Sequence, residues 1–497
     1  MISVSAVPGR VLVAVLLVLT IIRAFLADAI PLTDDEAYYR LWALSPALSY
    51  LDHPPMVGWL IAAGRAIAGD TELGIRLMAV LASLLGTFAI WRTASLLFGS
   101  DVGVLAVSYA MVLPLLSVGA IVITPDTSSV LFHVLAVWSL AELHVSGNRN
   151  WWLAVGAFAG LGLLSKYTGL FFGATVVLWL LAIPANWRWL RCWQLYAGGF
   201  IALLLFLPVI VWNVEHDWAS FLKQFGRVVI GDRLSLKWQL ELFGVMLLLV
   251  SPILAWLAMQ GIGSSIRGAA FTRDWARALL VFAVAPILLY FVIHAFHGRV
   301  QANWLAPIYP FLAIAAALAT REQFGGDRRT RMSYAGGAAA SIISALIYTH
   351  AVRPLVVRAD LKEPTHQLRG WPELSEAIAD MVKSSGARWI ATSSYATTGQ
   401  LAFTLDRFLP VIQITERIRY VHLPKPDLTI FDGPALYVEL ERRTRPDLLK
   451  EKFRSVTPFG FLERKHNGVV LARYQVYRIE SPRGAAGKSH INWLDPN

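Results

Sequence analysis

Three consecutive carboxylates are the strongest chemical signal in this sequence. Asp34, Asp35 and Glu36 follow an apolar N-terminal segment and precede two tyrosines. Carboxylates held near a bilayer are costly and usually functional, whereas acidic residues in a first turn can also simply stabilise a helix N-terminus. For three acids in a row we favour the functional interpretation. Asp35 is the candidate general base of a group-transfer reaction.

A second cluster, Asp52 and His53, precedes a Pro-Pro pair. Because proline ends one helix and starts the next, the pair predicts a fixed turn between two surface helices. The turn would hold Asp52 and His53 beside the membrane surface as metal ligands, as phosphate contacts or as a helix cap. A divalent cation at these two residues is therefore one hypothesis, and the sequence specifies no cofactor.

Asp126 and Lys166 stand in very short connections between apolar segments. Asp126 either caps the helix that follows or faces a site on the same side of the membrane as Asp35. A lysine at this depth must reach an interface or pair with an anion. A lipid phosphate is a natural partner for Lys166, and contact with bulk headgroups is the alternative.

Two later connections combine histidine, aromatic and basic side chains. The first contains His216, and the second contains Arg299; the other basic residues of the first are Lys223, Arg227, Arg233 and Lys237. Outer loops this basic oppose the usual topological bias, and an anionic ligand such as a polyprenyl phosphate explains them, with lipid headgroups as the alternative. Sugar transfer from a phosphate needs cations on the departing phosphate, for which Lys166, Arg299 and His53 are candidates.

The composition predicts that lipid surrounds most of the chain. Of 497 residues, 56% are hydrophobic and 15% are charged, which excludes an ordinary soluble domain. The net charge of +11 comes mostly from short segments between apolar runs, where basic residues set topology and contact lipid phosphates, so we expect no nucleic-acid partner. Cys192 is the only cysteine, so neither an intrachain disulfide nor a Cys-rich metal site can form.

Eleven apolar segments predict about eleven transmembrane helices, the first retained and not a cleaved signal peptide. They are residues 11–29, 73–97, 102–123, 128–144, 152–165, 167–183, 195–212, 240–260, 277–295, 304–319 and 333–350. With a cytoplasmic N-terminus, the connections richest in arginine lie in the cytoplasm, as the positive-inside rule requires. The connections that contain Asp35, Asp126, His216 and Arg299 then lie outside it.

The predicted domains follow from the fall in hydropathy after residue 350. A transmembrane domain covers residues 1–350, with a first outer loop at 31–72, and a small extracytoplasmic α/β domain covers 351–481. The α/β domain is predicted from β-rich runs at 389–393, 429–431, 436–440 and 469–477 and from an amphipathic helix at 373–384. Residues 482–497 are polar and Gly-rich and are predicted to be a flexible tail.

The order of these motifs resembles one known family over about residues 10–320. The motifs are Asp35-Glu36-Ala37-Tyr38-Tyr39, Tyr50-Leu51-Asp52-His53-Pro54-Pro55, Pro125-Asp126, Ser165-Lys166-Tyr167, Trp212-Asn213 with His216-Asp217-Trp218, and Asn303-Trp304 with Pro307 and Tyr309-Pro310. They resemble the membrane glycosyltransferases of the C-type (GT-C) fold. The similarity is to the bacterial branch of the dolichyl-phosphate-mannose-protein mannosyltransferase superfamily, which also includes the lipid A aminoarabinose transferases.

The resemblance implies an inverting hexosyl- or pentosyltransferase with a polyprenyl-phosphate-linked sugar donor. Asp35 matches the catalytic Asp, with Glu36 beside it, and Asp52 matches a carboxylate sometimes placed at a metal. The positions that match residues near the donor phosphate are Tyr39, Tyr50, His53 and Lys166. The predicted site also includes Arg299 beside the phosphate. Asp34, Asp126 and His216 are its further residues.

Two departures limit the choice of sugar. Aminoarabinose transferases typically have Lys where this chain has His53 and a basic residue where it has Tyr38, so both positions argue against aminoarabinose. We predict transfer to a lipid A, glycan, lipid or protein acceptor at the outer face of a bacterial inner membrane. The alternatives are a lipid or polysaccharide transporter and a non-catalytic scaffold. A transporter predicts internal repeats, and none is evident in the sequence.

Overall fold

The computed structural model describes residues 9–226, 236–358, 363–405 and 409–484. The chain divides into two compact units. One, here called the span unit, comprises Met1–Ala27, Asp52–Val57 and Arg76–Tyr348; the other, the loop-sheet unit, comprises Asp28–Leu51, Gly58–Ile75 and Thr349–Asn497. Most of the first outer loop therefore belongs to the same unit as the C-terminal chain. The linear division predicted from hydropathy had placed that loop with the spans.

Helices make up most of the described chain. In chain order they are α1 (Gly9–Ala29), α2 (Asp34–Leu44), α3 (Met56–Ala68), α4 (Glu72–Phe98), α5 (Ser100–Val112), α6 (Pro114–Gly119), α7 (Pro125–Ser146), α8 (Trp151–Ser165), α9 (Leu170–Ala182), α10 (Trp193–Glu215), α11 (Ala219–Phe225), α12 (Leu236–Val250), α13 (Pro252–Thr272), α14 (Trp275–His294), α15 (Tyr309–Gln323), α16 (Gly326–Val352), α17 (Trp371–Ser385), α18 (Tyr395–Thr404) and α19 (Pro446–Lys452). Short 3₁₀ helices include Tyr167–Gly169, Ala302–Ile308 and Leu428–Asp432.

Within the described residues, six helices are long and apolar enough to cross a membrane, and the number rises to nine if three bent helix pairs each count as one span. Three shorter apolar helices, α3, α5 and α8, fall below that length. The chain is thus a helical polytopic membrane protein, as the composition predicts. The number of eleven spans stays a prediction.

Prolines divide two of the predicted spans. The segment 102–123 was predicted as one helix, but α5 ends before Leu113, which is extended (φ −62°, ψ 121°) and precedes the proline that starts α6. The segment 240–260 was also predicted as one helix, but α12 and α13 are bent by 102° at Ser251, which again precedes a proline. A residue before proline disfavours the helical conformation because the proline ring crowds it. Both single-helix predictions are therefore wrong.

Glycines allow α8 and α10 to cross at close range. A Cβ on Gly156 would lie 2.0 Å from the carbonyl oxygen of Gly198, and a Cβ on Gly198 would lie 2.3 Å from that of Trp152. Small residues at such crossings let helix backbones approach, which strengthens packing where lipid supplies no hydrophobic driving force. The crossing fixes the position of α8, and Lys166 directly follows the end of this helix.

A five-stranded sheet forms the centre of the C-terminal chain. Its strands are β1 (Trp389–Thr392), β2 (Val411–Gln413), β3 (Ala435–Leu440), β4 (Phe453–His466) and β5 (Val469–Pro482), in the order β2-β1-β3-β5-β4. β1 pairs in parallel with β2 and β3, whereas β5 pairs antiparallel with β3 and β4. The β4–β5 turn has positive φ at both Asn467 and Gly468. A two-residue hairpin turn requires this conformation for its twist to match that of the flanking strands.

The sheet is covered on both faces because alternate strand residues point to opposite sides. Ile390, Leu436 and Val438 pack in one apolar cluster with α17 and α18, and Trp389 and Tyr437 pack in another with α19. The prediction of a small C-terminal domain with both helices and strands is therefore confirmed. Its predicted strand at 429–431 is wrong, because those residues lie in a 3₁₀ helix, and α18, β2 and β4 were not predicted.

Candidate active site

The acidic segment forms the first turn of α2, which a capping box fixes. The Thr33 hydroxyl accepts a hydrogen bond from the Glu36 amide at 3.2 Å, and the Glu36 carboxylate accepts one from the Thr33 amide at 3.0 Å. Glu36 is fully buried. Such a box satisfies main-chain donors at a helix start, so Glu36 holds the turn in place. Its catalytic role stays a prediction.

Asp34 and Asp35 occupy different environments on this turn. Asp35 is exposed, whereas the half-buried Asp34 accepts a hydrogen bond from the Gln400 amide at 3.1 Å. The Asp34 main-chain amide donates to the Gln367 side chain at 3.1 Å. Burial raises the pKa of Asp34, against the lowering effects of the Gln400 hydrogen bond and two arginine charges. Asp35 is thus the member of the pair that a substrate can reach.

Tyr395, the first residue of α18, contacts Asp35. Burial, the charges of Asp35 and Asp34, and a hydrogen bond to the Asp35 carboxylate all raise the pKa of Tyr395, whereas the Arg419 charge lowers it. The hydroxyl therefore stays protonated at neutral pH and donates a hydrogen bond to the carboxylate. The ring centroid of Tyr395 lies 5.0 Å from that of Tyr38, so the same side chain packs against the following turn of α2.

Tyr38 lies at the centre of an aromatic cluster in the loop-sheet unit. Its ring centroid is 5.2 Å from that of Trp42 and 6.0 Å from that of Tyr420. The Arg419 guanidinium lies 5.9 Å from the Tyr38 ring centroid and 5.4 Å from the Tyr395 ring centroid. Cations over aromatic faces are stabilised by the ring quadrupole. The cluster holds Tyr395 in a defined position relative to α2.

Tyr39 and Tyr50, both predicted to contact the donor phosphate, pack against Trp42. Tyr39 lies 4.8 Å from the Trp42 ring centroid, and Tyr50 stacks on it at 4.1 Å. The Tyr50 hydroxyl accepts a hydrogen bond from the Ala47 amide at 3.0 Å and donates one to the Trp42 carbonyl at 3.1 Å. Burial raises the pKa of Tyr50 to about 12, despite the Ala47 bond. The roles of both tyrosines at the donor stay predictions.

The span unit brings Asp126, Lys166 and Asn303 together. The Lys166 ammonium lies 2.6 Å from one Asp126 oxygen, and the Asn303 amide donates to the other oxygen at 3.0 Å. Thr124, and not Asp126, caps α7. Only 12% of the Lys166 side chain and 14% of the Asp126 side chain are exposed. Asp126 therefore pairs with a cation and does not cap the helix, and its predicted place at the site stays a prediction.

A cavity of about 190 Å³ borders this ion pair. Asp126 and Asn303 line one part of it, and most of the remaining wall consists of apolar residues of α4, α5, α6 and α7. Arg23 of α1 also lines the cavity, and its guanidinium donates to the Met111 carbonyl at 3.1 Å. A mostly apolar cavity with a few polar groups at one part is typical of a ligand-binding pocket.

Asp52, predicted with His53 as a possible divalent-cation site, has other partners in the structure, and the cation stays a prediction. The Asp52 carboxylate pairs with the Lys223 ammonium at 2.7 Å, and the Asp52 carbonyl accepts a hydrogen bond from Gln224 at 2.6 Å. Among the described residues, no group of three or more His, Cys, Asp or Glu side chains could hold a metal ion. Lys223, from the predicted basic loop, therefore supplies the positive charge beside Asp52.

The other predicted phosphate-side residues have local partners. Arg299 is exposed and pairs with Glu241 at 2.5 Å. His216 stacks on Trp212 at 4.1 Å, and Asn213 accepts a hydrogen bond from the Phe221 amide at 3.1 Å, which fixes the turn before α11. The predicted roles of Arg299 and His216 stay predictions. Arg227 and Arg233 lie outside the described residues, as does most of the predicted tail.

The site residues were predicted to share one pocket, and that convergence stays a prediction. The structure groups Asp126 with Lys166 and Asp52 with Lys223 in the span unit, and it groups Asp34 and Asp35 with the C-terminal chain in the loop-sheet unit. Tyr395, Gln400 and Arg419 were missed. Their only local signal is Ser394, a helix N-cap whose hydroxyl accepts from the Thr397 amide.

Comparisons with known proteins agree on one group of enzymes. The family of dolichyl-phosphate-mannose-protein mannosyltransferases matches residues 52–212. Lipid A galacturonosyltransferase RgtD of Rhizobium johnstonii is 25% identical, over 76% of this chain and 78% of that protein. Polyprenol-phosphate-mannose-protein mannosyltransferase of Corynebacterium glutamicum is 30% identical, but over only 27% of this chain and 32% of that protein.

Solved structures give the same fold. The crystal structure of ArnT from Cupriavidus metallidurans bound to undecaprenyl phosphate matches with a TM-score of 0.67 and 17% identity, over 95% of this chain and 98% of that chain. The apolar helices, the C-terminal sheet and these relatives thus define a membrane glycosyltransferase of the GT-C fold. Within that class, the chain is similar to the superfamily of the dolichyl-phosphate-mannose-protein mannosyltransferases and ArnT. The resemblance inferred from the sequence motifs is confirmed.

Proposed function

We propose that this glycosyltransferase moves one sugar from a polyprenyl-phosphate donor to a glycolipid acceptor of the lipid A class. The reaction takes place at the extracytoplasmic face of the inner membrane, with Asp35 as general base. The observation that carries the proposal is the environment of Asp35. Its exposed carboxylate lies on a helix turn fixed by a capping box and by the contact with Tyr395.

The reaction exchanges one bond at the anomeric carbon. An acceptor hydroxyl attacks that carbon from the face opposite the phosphate, and Asp35 takes the hydroxyl proton. The bond from the anomeric carbon to the phosphate oxygen breaks, and the polyprenyl phosphate leaves with the electron pair. Attack from the opposite face inverts the anomeric centre. A positioned base and a cation on the leaving group each lower the activation barrier. Each typically raises the rate by about a hundredfold or more.

Lys166 supplies the cation for the leaving phosphate. Its ammonium is held by Asp126 next to a largely apolar cavity, which suits the first isoprene units of a polyprenyl chain. The ArnT structure contains undecaprenyl phosphate, and the Corynebacterium relative is named for a polyprenol-phosphate sugar. Both support this class of donor. Tyr39, Tyr50, His53 and Arg299 are further candidates for donor contacts, with Asp34, Asp52 and His216 around them.

The choice of acceptor rests on how much of the chain each relative covers. The lipid A galacturonosyltransferase matches over 76% of this chain, whereas the protein mannosyltransferase matches over 27%. A glycolipid of the lipid A class is therefore the first acceptor to test, and a hexuronic acid is the first sugar. A protein acceptor is the second candidate.

Transfer by the purified full chain in lipid nanodiscs tests the proposal. The protein is mixed with undecaprenyl phosphate carrying galacturonic acid, a neutral hexose or a pentose, and with lipid A or a peptide acceptor. Mass spectrometry should detect lipid A heavier by one sugar together with free undecaprenyl phosphate. Movement of the intact donor across a vesicle membrane with no transfer product would instead support the transporter alternative.

Labelling of single cysteines tests the proposed orientation. The native Cys192 is buried, so added cysteines report on their own positions. An impermeant maleimide added to intact spheroplasts should label Lys450→Cys in the C-terminal chain and spare Ser100→Cys, which is also exposed but belongs to a predicted cytoplasmic connection. Labelling of Ser100→Cys alone would reverse the topology and contradict the proposed site of reaction.

A further inference from the structure

Helix α18 of the C-terminal chain approaches the helix that carries Asp35 at Gly399. A Cβ on Gly399 would lie 2.7 Å from the amide nitrogen of Tyr38 and 2.8 Å from the carbonyl carbon of Ala37. These are main-chain atoms, which cannot rotate away as a side chain can. The two helices therefore reach their observed spacing only because this residue is glycine.

Side chains from both helices join across this contact. The Gln400 amide donates to the Leu32 carbonyl at 3.0 Å and to the Asp34 carboxylate at 3.1 Å. In the other direction, the Arg40 guanidinium donates to the Ala402 carbonyl at 3.2 Å. Hydrogen bonds at both ends of the contact fix the helices against sliding as well as against separation.

A buried carboxylate anchors the start of α18 to the sheet. Glu439 of β3 is fully buried and accepts hydrogen bonds from the Ser393 amide, the Ser394 hydroxyl and the Thr397 hydroxyl, each at 3.0 Å. A buried charge is stable only when hydrogen bonds replace its water. These bonds hold the first turn of α18, and Tyr395 is the first residue of that turn.

We infer that the C-terminal domain is part of the catalytic site: α18 positions the helix that carries Asp35, and the Tyr395 hydroxyl orients the Asp35 carboxylate. This inference rests on the proposed role of Asp35 as the base. An exposed aspartate on a first turn can otherwise rotate among several side-chain conformations. The phenol, itself packed between Tyr38 and Arg419, selects one of them. Tyr395 is thus a positioning residue.

The hydrogen bond also predicts a change in pH dependence that a purely structural role would not give. A hydrogen bond donated to a carboxylate favours its charged form, so loss of the bond raises the pKa of the base. The acid limb of the pH profile of kcat/KM reports that pKa in the free enzyme. In Tyr395→Phe this limb should therefore move to higher pH.

The matched pair Tyr395→Phe and Tyr420→Phe tests the inference. Both variants remove one hydroxyl from the aromatic cluster around Tyr38 and keep the ring, but the Tyr420 hydroxyl donates to Gln413 at 2.7 Å. We expect Tyr395→Phe to lower kcat by about 10- to 100-fold and to shift the acid limb upward by about half a pH unit or more. Tyr420→Phe should leave the limb in place. Equal effects in the two variants, or a loss of rate with no shift, would overturn the inference.

A second pair tests the helix contact itself. Gly399→Ala forces α18 and α2 apart, whereas Gly337→Ala adds the same methyl group in α16, where no atom lies within 4 Å. We expect at least about a tenfold loss of kcat in Gly399→Ala and no loss in Gly337→Ala. Asp35→Asn separates the two proposals: an active Asp35→Asn removes the proposed base, whereas an inactive Asp35→Asn beside a fully active Tyr395→Phe removes only the role of Tyr395.

Discussion

The two units of the molecule each hold an aspartate at the start of a helix, and the two aspartates differ in burial and in hydrogen-bond partners. In the span unit, Asp126 is mostly buried and its two oxygens are taken by the Lys166 ammonium and the Asn303 amide. In the loop-sheet unit, Asp35 is exposed and accepts a hydrogen bond from the Tyr395 hydroxyl. Both oxygens of Asp126 are thus engaged by side chains of the protein, whereas the Asp35 carboxylate is exposed to a substrate. Asp126 is therefore suited to holding Lys166, and Asp35 is suited to taking a proton.

The comparison predicts its largest effect at the exposed aspartate. Asp35→Asn removes the base but keeps the shape of the side chain, so kcat should fall about 10³-fold while the Tm stays close to that of the wild type. Asp126→Asn should lower both kcat and Tm, because it leaves Lys166 without its counter-charge. Transfer assays and thermal melts of the two purified variants measure the contrast. The comparison fails if Asp35→Asn keeps more than a tenth of the wild-type rate.

A smaller but more informative effect is expected at Lys166. Lys166→Met leaves the Asp126 carboxylate mostly buried without a cation, which should destabilise the protein by about 2–3 kcal/mol and raise the KM for the donor. Adding Asp126→Asn to this variant should recover much of the stability, since the unpaired charge is gone. Donor affinity should not recover. Recovery of both would mean that Lys166 serves only the fold.

Helix packing in the span unit should affect Lys166 and leave Asp35 unchanged. Gly198→Ala places a Cβ about 2.3 Å from the Trp152 carbonyl and must displace α8, whose end is followed directly by Lys166. We expect a loss of about 1–3 kcal/mol in stability and a raised donor KM, since overpacking displaces backbone. Gly199→Ala is the control one residue away, because no atom lies within 4 Å of its Cβ. Equal melts for the two variants would show that the crossing tolerates the methyl group.

The smallest effect concerns the ion pairs that hold the first-loop helices together. Asp70 bonds to Arg40 at 2.8 Å and to Arg65 at 2.7 Å. Burial pushes the pKa of Asp70 upward, but the hydrogen bonds and charges of both arginines outweigh it and hold the pKa below its usual range. A lowered pKa in the folded state contributes stability above the unfolded value, about 3.9, and this contribution is lost as the pH falls.

Asp70→Asn should therefore lower the free energy of unfolding by about 1–2 kcal/mol at pH 7, and the difference from the wild type should shrink below about pH 4. Melts at a series of pH values measure it. A difference that stays constant down to pH 3 would assign the effect to lost packing. In that case the charge of Asp70 would add nothing to the stability of the loop.

Much of the span unit could be predicted from the sequence because long apolar runs have few alternatives to a helix in lipid. Asp126 and Lys166 were each identified, but their pairing was not. They are 40 positions apart in the sequence, and only the packing of the helices that carry them brings them together. The two broken spans had a local signal, a proline at each break, which hydropathy averages out.

The loop-sheet unit was less predictable because its key contacts join distant parts of the chain. The capping box had a local signal in Thr33 and Glu36, three residues apart, but the segment was interpreted from its three acids and not from this pair. Helix α18 had almost none, since its first turns are rich in threonine and glycine, which favour helices weakly. Tyr395, Gln400 and the close approach at Gly399 therefore became visible only in three dimensions.

The contact between Tyr395 and Asp35 has a consequence for biosynthesis. The two residues are separated by 360 positions, so the ribosome must add all of that stretch after Asp35 before the two can meet. At roughly 5–20 residues per second, translation of that stretch takes about 20–70 s. Nascent chains that are already inserted would remain inactive throughout that interval. The cell would thus be protected from premature consumption of its scarce lipid-linked sugars by half-made protein.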